Sequence, residues 1–372
     1  MPNRKTTRRN LLAGSGAIAA GALAVNAGAA APRRKFTRKS PSSVELMEIG
    51  VLTATPGSTH INTIWGPLIN PPGPPWTRLT GMVMTRVWDK DPGVAAAFAK
   101  KYDCRAVRRF DDMAGKVDGV ILSDFTSAHY FCDLALPYLE AGTPIFINRP
   151  FAYSMRKART IADLSKKTGT PIMCGDTHEY VKEVNIVRDR VKAMEPIMGV
   201  HATNSMSDYP SHGIHGIYWL HACLGGGVRA VSYITPDWRK PNGLCVLEYA
   251  PRVRDGQVFY ASLHQIVPTS TNAAITLYTK QSRSFHLDFM WEKGDWDRMV
   301  LMFLQPVLAM QKMFETGIMP ESHGSILEKT RVFLAGFYSA AEKGGRPVKV
   351  EDLPDDWVAP GPGADWGKGL FD

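Results

Sequence analysis

Three short apolar runs separated by two helical patterns, all between Val117 and Gly175, constrain the fold more than any other stretch of the chain. Val120–Leu122 leads through a turn into a helical pattern over Ala128–Glu140. After a break at Gly142, Pro144–Asn148 is a second apolar run, and a Pro-marked turn, a helix over Ser154–Lys167 and a third run at Pro171–Gly175 follow. Runs too short to be helices, alternating with helices, predict βαβ units and therefore a doubly wound parallel sheet. Ligands of such sheets sit beyond the carboxyl ends of the strands. Asp124, His129, Asn148 and Arg149 are thereby placed at a binding crevice.

Upstream, Leu46–Thr53 and Met82–Trp88 read as the first two strands and Gly93–Tyr102 as a helix, with Cys104–Phe110 a short strand. Helical character over His60–Asn70 stops at Pro71-Pro72-Gly73-Pro74-Pro75. Past residue 180 the pattern changes. Strands are expected at Ile197–Asn204, Cys245–Tyr249, Gln257–Gln265, Ala273–Thr279 and Ser284–Phe289, and helices at Tyr209–Cys223, Asp297–Glu315 and Ile326–Gly344. Consecutive strands joined by short Gly, Pro and Asn turns predict a second domain of α+β type with a mostly antiparallel sheet.

The charge balance excludes a nucleic-acid surface. Of 44 Lys and Arg, nine lie at positions 4 to 39, where no acid occurs; the 35 that remain match 35 Asp and Glu. The net charge of +9 thus belongs to the start of the chain. There, Arg8-Arg9 precedes a weakly apolar Ala- and Gly-rich region and a small-residue site at Ala27-Gly28-Ala29. This reads as a cleavable twin-arginine signal, too short to span a membrane, so an exported protein and the twin-arginine export machinery as partner are expected. The five cysteines are widely spaced, lie mostly in apolar runs and form no Cys-x-x-Cys pair, so buried free thiols are expected.

The strand, turn and His pattern ending at His129, the Glu140-Ala141-Gly142 helix exit and a strand ending in Asn148-Arg149-Pro150 resemble the Gfo/Idh/MocA family (glucose–fructose oxidoreductase and inositol dehydrogenase-like proteins). By order and spacing the resemblance covers roughly residues 46–350. With residues 1–29 read as the signal and 30–45 as a Pro-, Arg-, Lys- and Ser-rich linker, it implies a Rossmann-like nucleotide-binding domain at 46–178 and a substrate and oligomerisation domain at 179–350, followed by a tail at 351–372. It also implies NAD or NADP as cofactor. Thr53 and Thr55 stand at the first two glycine places of the phosphate loop, with Gly57 nearby, and Ser58 or Thr59 can cap the following helix. Asp89 stands at the place of the acid that holds the ribose hydroxyls, which favours NAD because a 2′-phosphate would be repelled. Ser123-Asp124-Phe125 replaces the family's turn beneath the nicotinamide ribose, and His129 completes the cofactor set.

For the chemistry, Arg149 stands where the family has a lysine. It keeps the positive charge and can grip a carboxylate or phosphate, but is a poor proton carrier. On the helix beginning near Tyr209, His215 occupies the family's His place, with Ser211 and Tyr218 on its two Asp places. His215 is therefore the expected acid/base, Tyr218 its helper, and Arg149 the group that orients substrate. His178, Glu179, Ser211 and His212 are expected at the substrate. His212 and His215 share a helix face, and Asp176-Thr177-His178-Glu179 could converge on it as a zinc set; His-x-x-His alone is too weak a pattern to assign a metal. The reading is an exported NAD(P)-dependent oxidoreductase of a sugar, cyclitol or related polyol, pairing subunits through its C-terminal sheet. Two alternatives stay open: a ligand-binding protein without turnover on the same fold, and a His-cluster hydrolase or lyase of carbohydrate.

Overall fold

The computed structural model describes residues 46–371 apart from 57–59, 74–76, 195, 206–207, 252–257, 267–272, 281–283 and 290–295. The expected signal and linker, Gly57, Ser58 and Thr59 lie outside the described residues, as does the side chain of Ser211.

The first layer is a six-stranded parallel sheet in the order β3-β2-β1-β4-β5-β6. Its strands are β1 (Met47–Leu52), β2 (Met82–Trp88), β3 (Arg105–Ala106), β4 (Gly119–Leu122), β5 (Ile145–Asn148) and β6 (Ile172–Gly175). Every residue of β4, β5 and β6 is buried, as expected of central parallel strands covered on both faces. The crossovers are a π-helical turn at Ile61–Trp65 running into α1 (Gly66–Ile69), then α2 (Pro92–Tyr102), α3 (Phe131–Glu140) and α4 (Met155–Thr168). Local chemistry sets their ends. Asp91 caps α2 by accepting from Gly93 and Val94 amides, and Pro92 starts it; Ser154 caps α4, whose far end closes on left-handed Gly169.

A helix not expected from sequence, α5 (Lys182–Met194), leads into the second sheet. This sheet has seven strands in the order β12-β11-β7-β10-β9-β8-β13. They are β7 (Ile197–Ser205), β8 (Val228–Ile234), β9 (Gly243–Tyr249), β10 (Phe259–Ile266), β11 (Ala273–Thr279), β12 (Ser284–Phe289) and β13 (Val348–Lys349). All its pairings are antiparallel except β7 with β10. Burial alternates along β9, β10 and β11: one face packs inward, while the other presents Tyr260 and Tyr278 to solvent. Three more helices complete the fold: α6 (Ile214–Leu224), α7 (Trp296–Thr316) and α8 (His323–Glu342). The fold class is therefore a Rossmann-like parallel sheet followed by an α+β domain with a mostly antiparallel sheet. Beyond α8 the chain returns to the first sheet. No described helix is long and apolar enough to cross a membrane, and all five cysteines are free thiols.

Candidate active site

Strand register brings the central residues together. Asn148 pairs with Gly175, so Arg149 and Asp176 leave neighbouring strand ends side by side. Asn148 fixes the corner: its Nδ2 donates to Ser123 O at 2.7 Å and its Oδ1 accepts the Arg149 amide at 2.9 Å. Arg149 Nε then lies 4.0 Å from Asp176 Oδ2, with both side chains buried.

Asp176 organises two histidines. Its Oδ1 accepts the His178 amide at 2.9 Å and faces His178 Nδ1 at 2.5 Å; its Oδ2 receives His215 Nδ1. Glu179 closes the turn by accepting the Asp176 amide at 2.7 Å, a capping box. The His178 and His215 rings are 4.8 Å apart, and His212 lies 5.5 Å from His215. Burial would raise Asp176, but the imidazoles of His215 and His178 overcome it and hold the carboxyl well below its usual range. An ionised carboxylate only accepts, so both Nδ1 atoms carry a proton and point it at Asp176. Burial likewise holds His215 well below its usual value, with Asp176 pulling the other way, so it is neutral near pH 7. A neutral imidazole steered by a buried carboxylate is the arrangement of a general base.

His60, from the turn after β1, joins the group. It is half-buried against the Trp65 and Phe303 rings at 4.9 and 5.2 Å, and desolvation, then the Arg149 charge, push it down to about 3. His212 is pushed down to about 4 for the same two reasons. Arg149 is 2 % exposed, and no hydrogen-bond acceptor among the described residues reaches its Nε or Nη1; its Cζ lies 5.1 Å from the Phe125 ring.

The other end of the crevice lies over β1 and β2. Thr53 is buried and adopts a left-handed backbone, φ 62°, normally a glycine's. Its hydroxyl donates to Leu52 O and accepts the Asp124 amide at 3.0 Å, joining the ends of β1 and β4. Asp89, at the end of β2, accepts the Ala54 and Asp91 amides at 2.7 and 3.0 Å, with Thr55 Oγ1 at 3.4 Å. The segment after residue 354 crosses this end as a strap. Gly361 O lies 3.3 Å from His129 Nε2, and Ala364 O accepts from the Tyr130 hydroxyl at 2.7 Å. Trp366 meets Trp88 at 6.3 Å, Lys90 donates to Lys368 O at 3.1 Å, and Phe371 meets Phe110 at 5.4 Å. Gly363 passes so close to Thr126 O that any Cβ would collide with it.

Residues 70–176 match the Gfo/Idh/MocA family, described as an oxidoreductase family with an NAD-binding Rossmann fold. The first domain is similar to this family. The match opens after the divergent loop at Thr53–His60. A search of curated proteins finds no match. Among solved structures, the chain is similar in fold to myo-inositol dehydrogenase from Lactobacillus casei in complex with NAD(H) and myo-inositol, at 16% identity and TM-score 0.66, covering 82% of this chain and 96% of that one. It is also similar to GenD2 from gentamicin A biosynthesis, in complex with NAD, at 16% identity and TM-score 0.64, over 82% and 96%. A third is apo scyllo-inositol dehydrogenase from L. casei, at 12% identity and TM-score 0.67, over 83% and 99%.

Within this Gfo/Idh/MocA frame the structure gathers Arg149, His178, His212 and His215 and separates other expected residues. Tyr218 is fully buried with its hydroxyl 3.9 Å from Cys174 Sγ and Lys329 over its ring, so it neither steers His215 nor faces the crevice. Three residues along a helix is about 300°, and that turn carries Tyr218 toward α8. Glu179, expected at substrate, is taken by Lys329 at 2.8 Å, which also holds Glu321. Asp124 is fully buried and caps the turn at Phe125–Tyr130 through the Thr126 amide, and Thr53 spends its hydroxyl inside the protein; neither side chain is free for a cofactor. His129 is held by Gly361 O and stacks on Tyr153 at 4.3 Å. His60, and Asp176 as the organiser of the histidines, were not among the residues singled out for the site. A polar residue ending the last parallel strand was the available signal for Asp176; His60 carried none.

The donors present fit a dinucleotide. Asp89 lies where adenosine ribose hydroxyls would be held, with acceptor capacity remaining on its oxygens, and the Thr53–Thr55 backbone turns at the pyrophosphate place. Ser123 Oγ, at the end of β4, is a buried hydroxyl with no partner among the described residues.

Proposed function

We propose that this chain is an exported NAD(P)-dependent oxidoreductase acting on a CH–OH group of a sugar, cyclitol or related polyol. The observation that carries this reading is the neutral His215, steered by buried Asp176 beside Arg149, at the carboxyl ends of a Gfo/Idh/MocA Rossmann sheet. Asp89 would hold the adenosine ribose, and Ser123 would meet the nicotinamide end. A bound nicotinamide supplies one thing, a hydride acceptor for the carbinol carbon. The protein supplies the rest. His215 Nε2 accepts the hydroxyl proton, and Asp176 stabilises the imidazolium that results. Arg149 fixes the substrate and draws electron density from its oxygen. Burial of the cluster excludes water from the carbinol.

The test is direct. Purified protein is mixed with NAD, or NADP, and a polyol series including myo-inositol, and reduced nicotinamide is followed by absorbance. Failure to bind either dinucleotide at millimolar concentration in calorimetry would sink the reading and favour the ligand-binding alternative.

A metal-assisted hydrolase or lyase has one observation in its favour: ligand atoms of Asp176, His178 and His215 all lie within 4.8 Å of one another. Arg149 beside the same carboxylate opposes a dication by charge repulsion. Elemental analysis of purified protein decides between them. Export rests on Arg8-Arg9. Changing both to Lys should leave precursor in the cytoplasm; unchanged recovery outside it would contradict this. The exposed face of the second sheet, with Tyr260 and Tyr278, supports a homo-oligomer, which light scattering would reveal.

A further inference from the structure

The cluster holds more hydrogen-bond donors than acceptors. Among the described residues Asp176 is the carboxylate within ion-pair distance of Arg149, with the charge of Asp208 acting from farther away, and the two Asp176 oxygens already take the His178 amide and the Nδ1 atoms of His178 and His215. Arg149 Nε stays at 4.0 Å from that carboxylate, beyond hydrogen-bond reach, and Nη1 has no acceptor among the described residues. The His60 Nδ1 atom is also buried, with no partner among the described residues. A guanidinium stays charged at any ordinary pH, and a buried charge without acceptors is costly. Phe125, 5.1 Å from Cζ, offers a ring face and not an acceptor. Burial itself draws Arg149 below its usual value, the direction expected of a charge that its neighbours have not fully compensated.

Several explanations compete for these unpaired groups. A purely structural role predicts acceptors on Nη1, which are missing among the described residues. A metal would add positive charge to a site already holding Arg149. A neutral polyol could offer hydroxyl oxygens, but would leave the charge uncompensated. An anion satisfies both the hydrogen-bond deficit and the charge.

We infer that the substrate carries an anionic group, a carboxylate or a phosphate or sulfate ester, bound by the unpaired N–H groups of Arg149 next to the carbinol presented to His215. This rests on the oxidoreductase reading for the carbinol, but not for the anion itself. The substrate class is then a sugar acid or an acidic sugar ester. Arg149 is the residue that sets this specificity, and Lys at its place would provide a point charge without the planar donor edge.

Calorimetry on the full chain with D-glucuronate, D-glucose 6-phosphate, inorganic phosphate and D-glucose tests it, repeated on Arg149→Met and Arg149→Lys. At least one of the two sugar anions should bind roughly tenfold or more tightly than glucose, the factor expected of one charge-assisted contact. Inorganic phosphate binding as tightly as the sugar anions would overturn the substrate assignment, leaving an ion site only. Arg149→Met should erase the preference, and a cooperative thermal melt of the variant shows that the loss is not unfolding. Arg149→Lys should keep part of the preference. No preference for any anion over glucose, or a preference that survives Arg149→Met, overturns the inference. Dinucleotide binding, measured separately by calorimetry, tells the two readings apart: anion preference without dinucleotide binding removes the oxidoreductase and keeps the anion site.

Discussion

At the scale of single residues, the site is a problem of placing charge in a dry corner. Asp176 must be ionised to orient His178 and His215, and the histidines keep it so. His215→Asn and Asp176→Asn should each lower turnover by about 10²–10⁴, with little change in substrate affinity. Steady-state kinetics checks this, and near wild-type turnover in His215→Asn would reduce the histidine to packing. Because His215 is held well below the ordinary imidazole range, turnover should stay level as pH falls through about 6.5 and decline only further into acid. Stability behaves differently. His60 and His212 sit at about 3 and about 4 in the fold, whereas the unfolded imidazole titrates near 6.5. Between those limits the unfolded chain binds more protons, so stability is complete above about pH 6.5 and drains away as pH drops. His60→Phe should flatten that decline in a series of denaturant melts; an unchanged pH dependence would count against the burial of His60 as its cause.

Secondary-structure elements show what was legible and why some was not. The strands at Ala273–Thr279 and Ser284–Phe289 match the expected bounds because short turn signals flank clean alternation. Strand β8 was unreadable: a register shift between Val228 and Ala230 breaks its alternation where the pattern would be recognised. Helix α5 buries Val184, Val187 and Val191 but is otherwise strongly charged, so its apolar stripe is thin. The expected strand over Cys104–Phe110 shrinks to Arg105–Ala106, because Asp112 draws the amides of Arg108 and Arg109 into a turn. Arg149 and His215 were legible as motif places. The convergence of the Asp176–Glu179 stretch on the His212 and His215 face was legible as a zinc set, but not that Asp176, 39 positions from His215, orients the imidazole by a hydrogen bond. Element packing also supports the site from behind. Lys329 on α8 ties Glu179, in the turn that carries His178, to Glu321 and to Cys174 O at 3.1 Å. Lys329→Met leaves two half-buried carboxylates without their cation and should cost about 3–5 kcal/mol at neutral pH, less in acid where Glu179 is protonated. Chemical denaturation at two pH values measures both parts.

Across the whole molecule, the first sheet is finished by residues from the far end of the sequence. The strap from Gly361 to Phe371 covers Trp88 and Lys90, on either side of Asp89, together with Phe110 and Tyr130. Removing residues 361–372 should cost about 2–4 kcal/mol, from the partial uncovering of several aromatic rings, and should speed dinucleotide release more than it changes substrate binding. Stopped-flow dissociation of bound dinucleotide checks the second effect; equal release rates would show that the strap only packs. Gly363→Ala offers a gentler version, since its methyl would have to displace the strap from Thr126.

The meeting of Trp88 and Trp366 has a practical side. Two indoles 6.3 Å apart and inclined at 78° are close enough for their excited states to mix, and their geometry gives that mixing a handedness. The pair should show as a couplet in ultraviolet circular dichroism that vanishes in Trp366→Phe. Where the strap lifts, the couplet fades and indole emission changes colour. The protein thus carries its own unlabelled optical gauge of whether the end of the crevice beside Asp89 is open or shut.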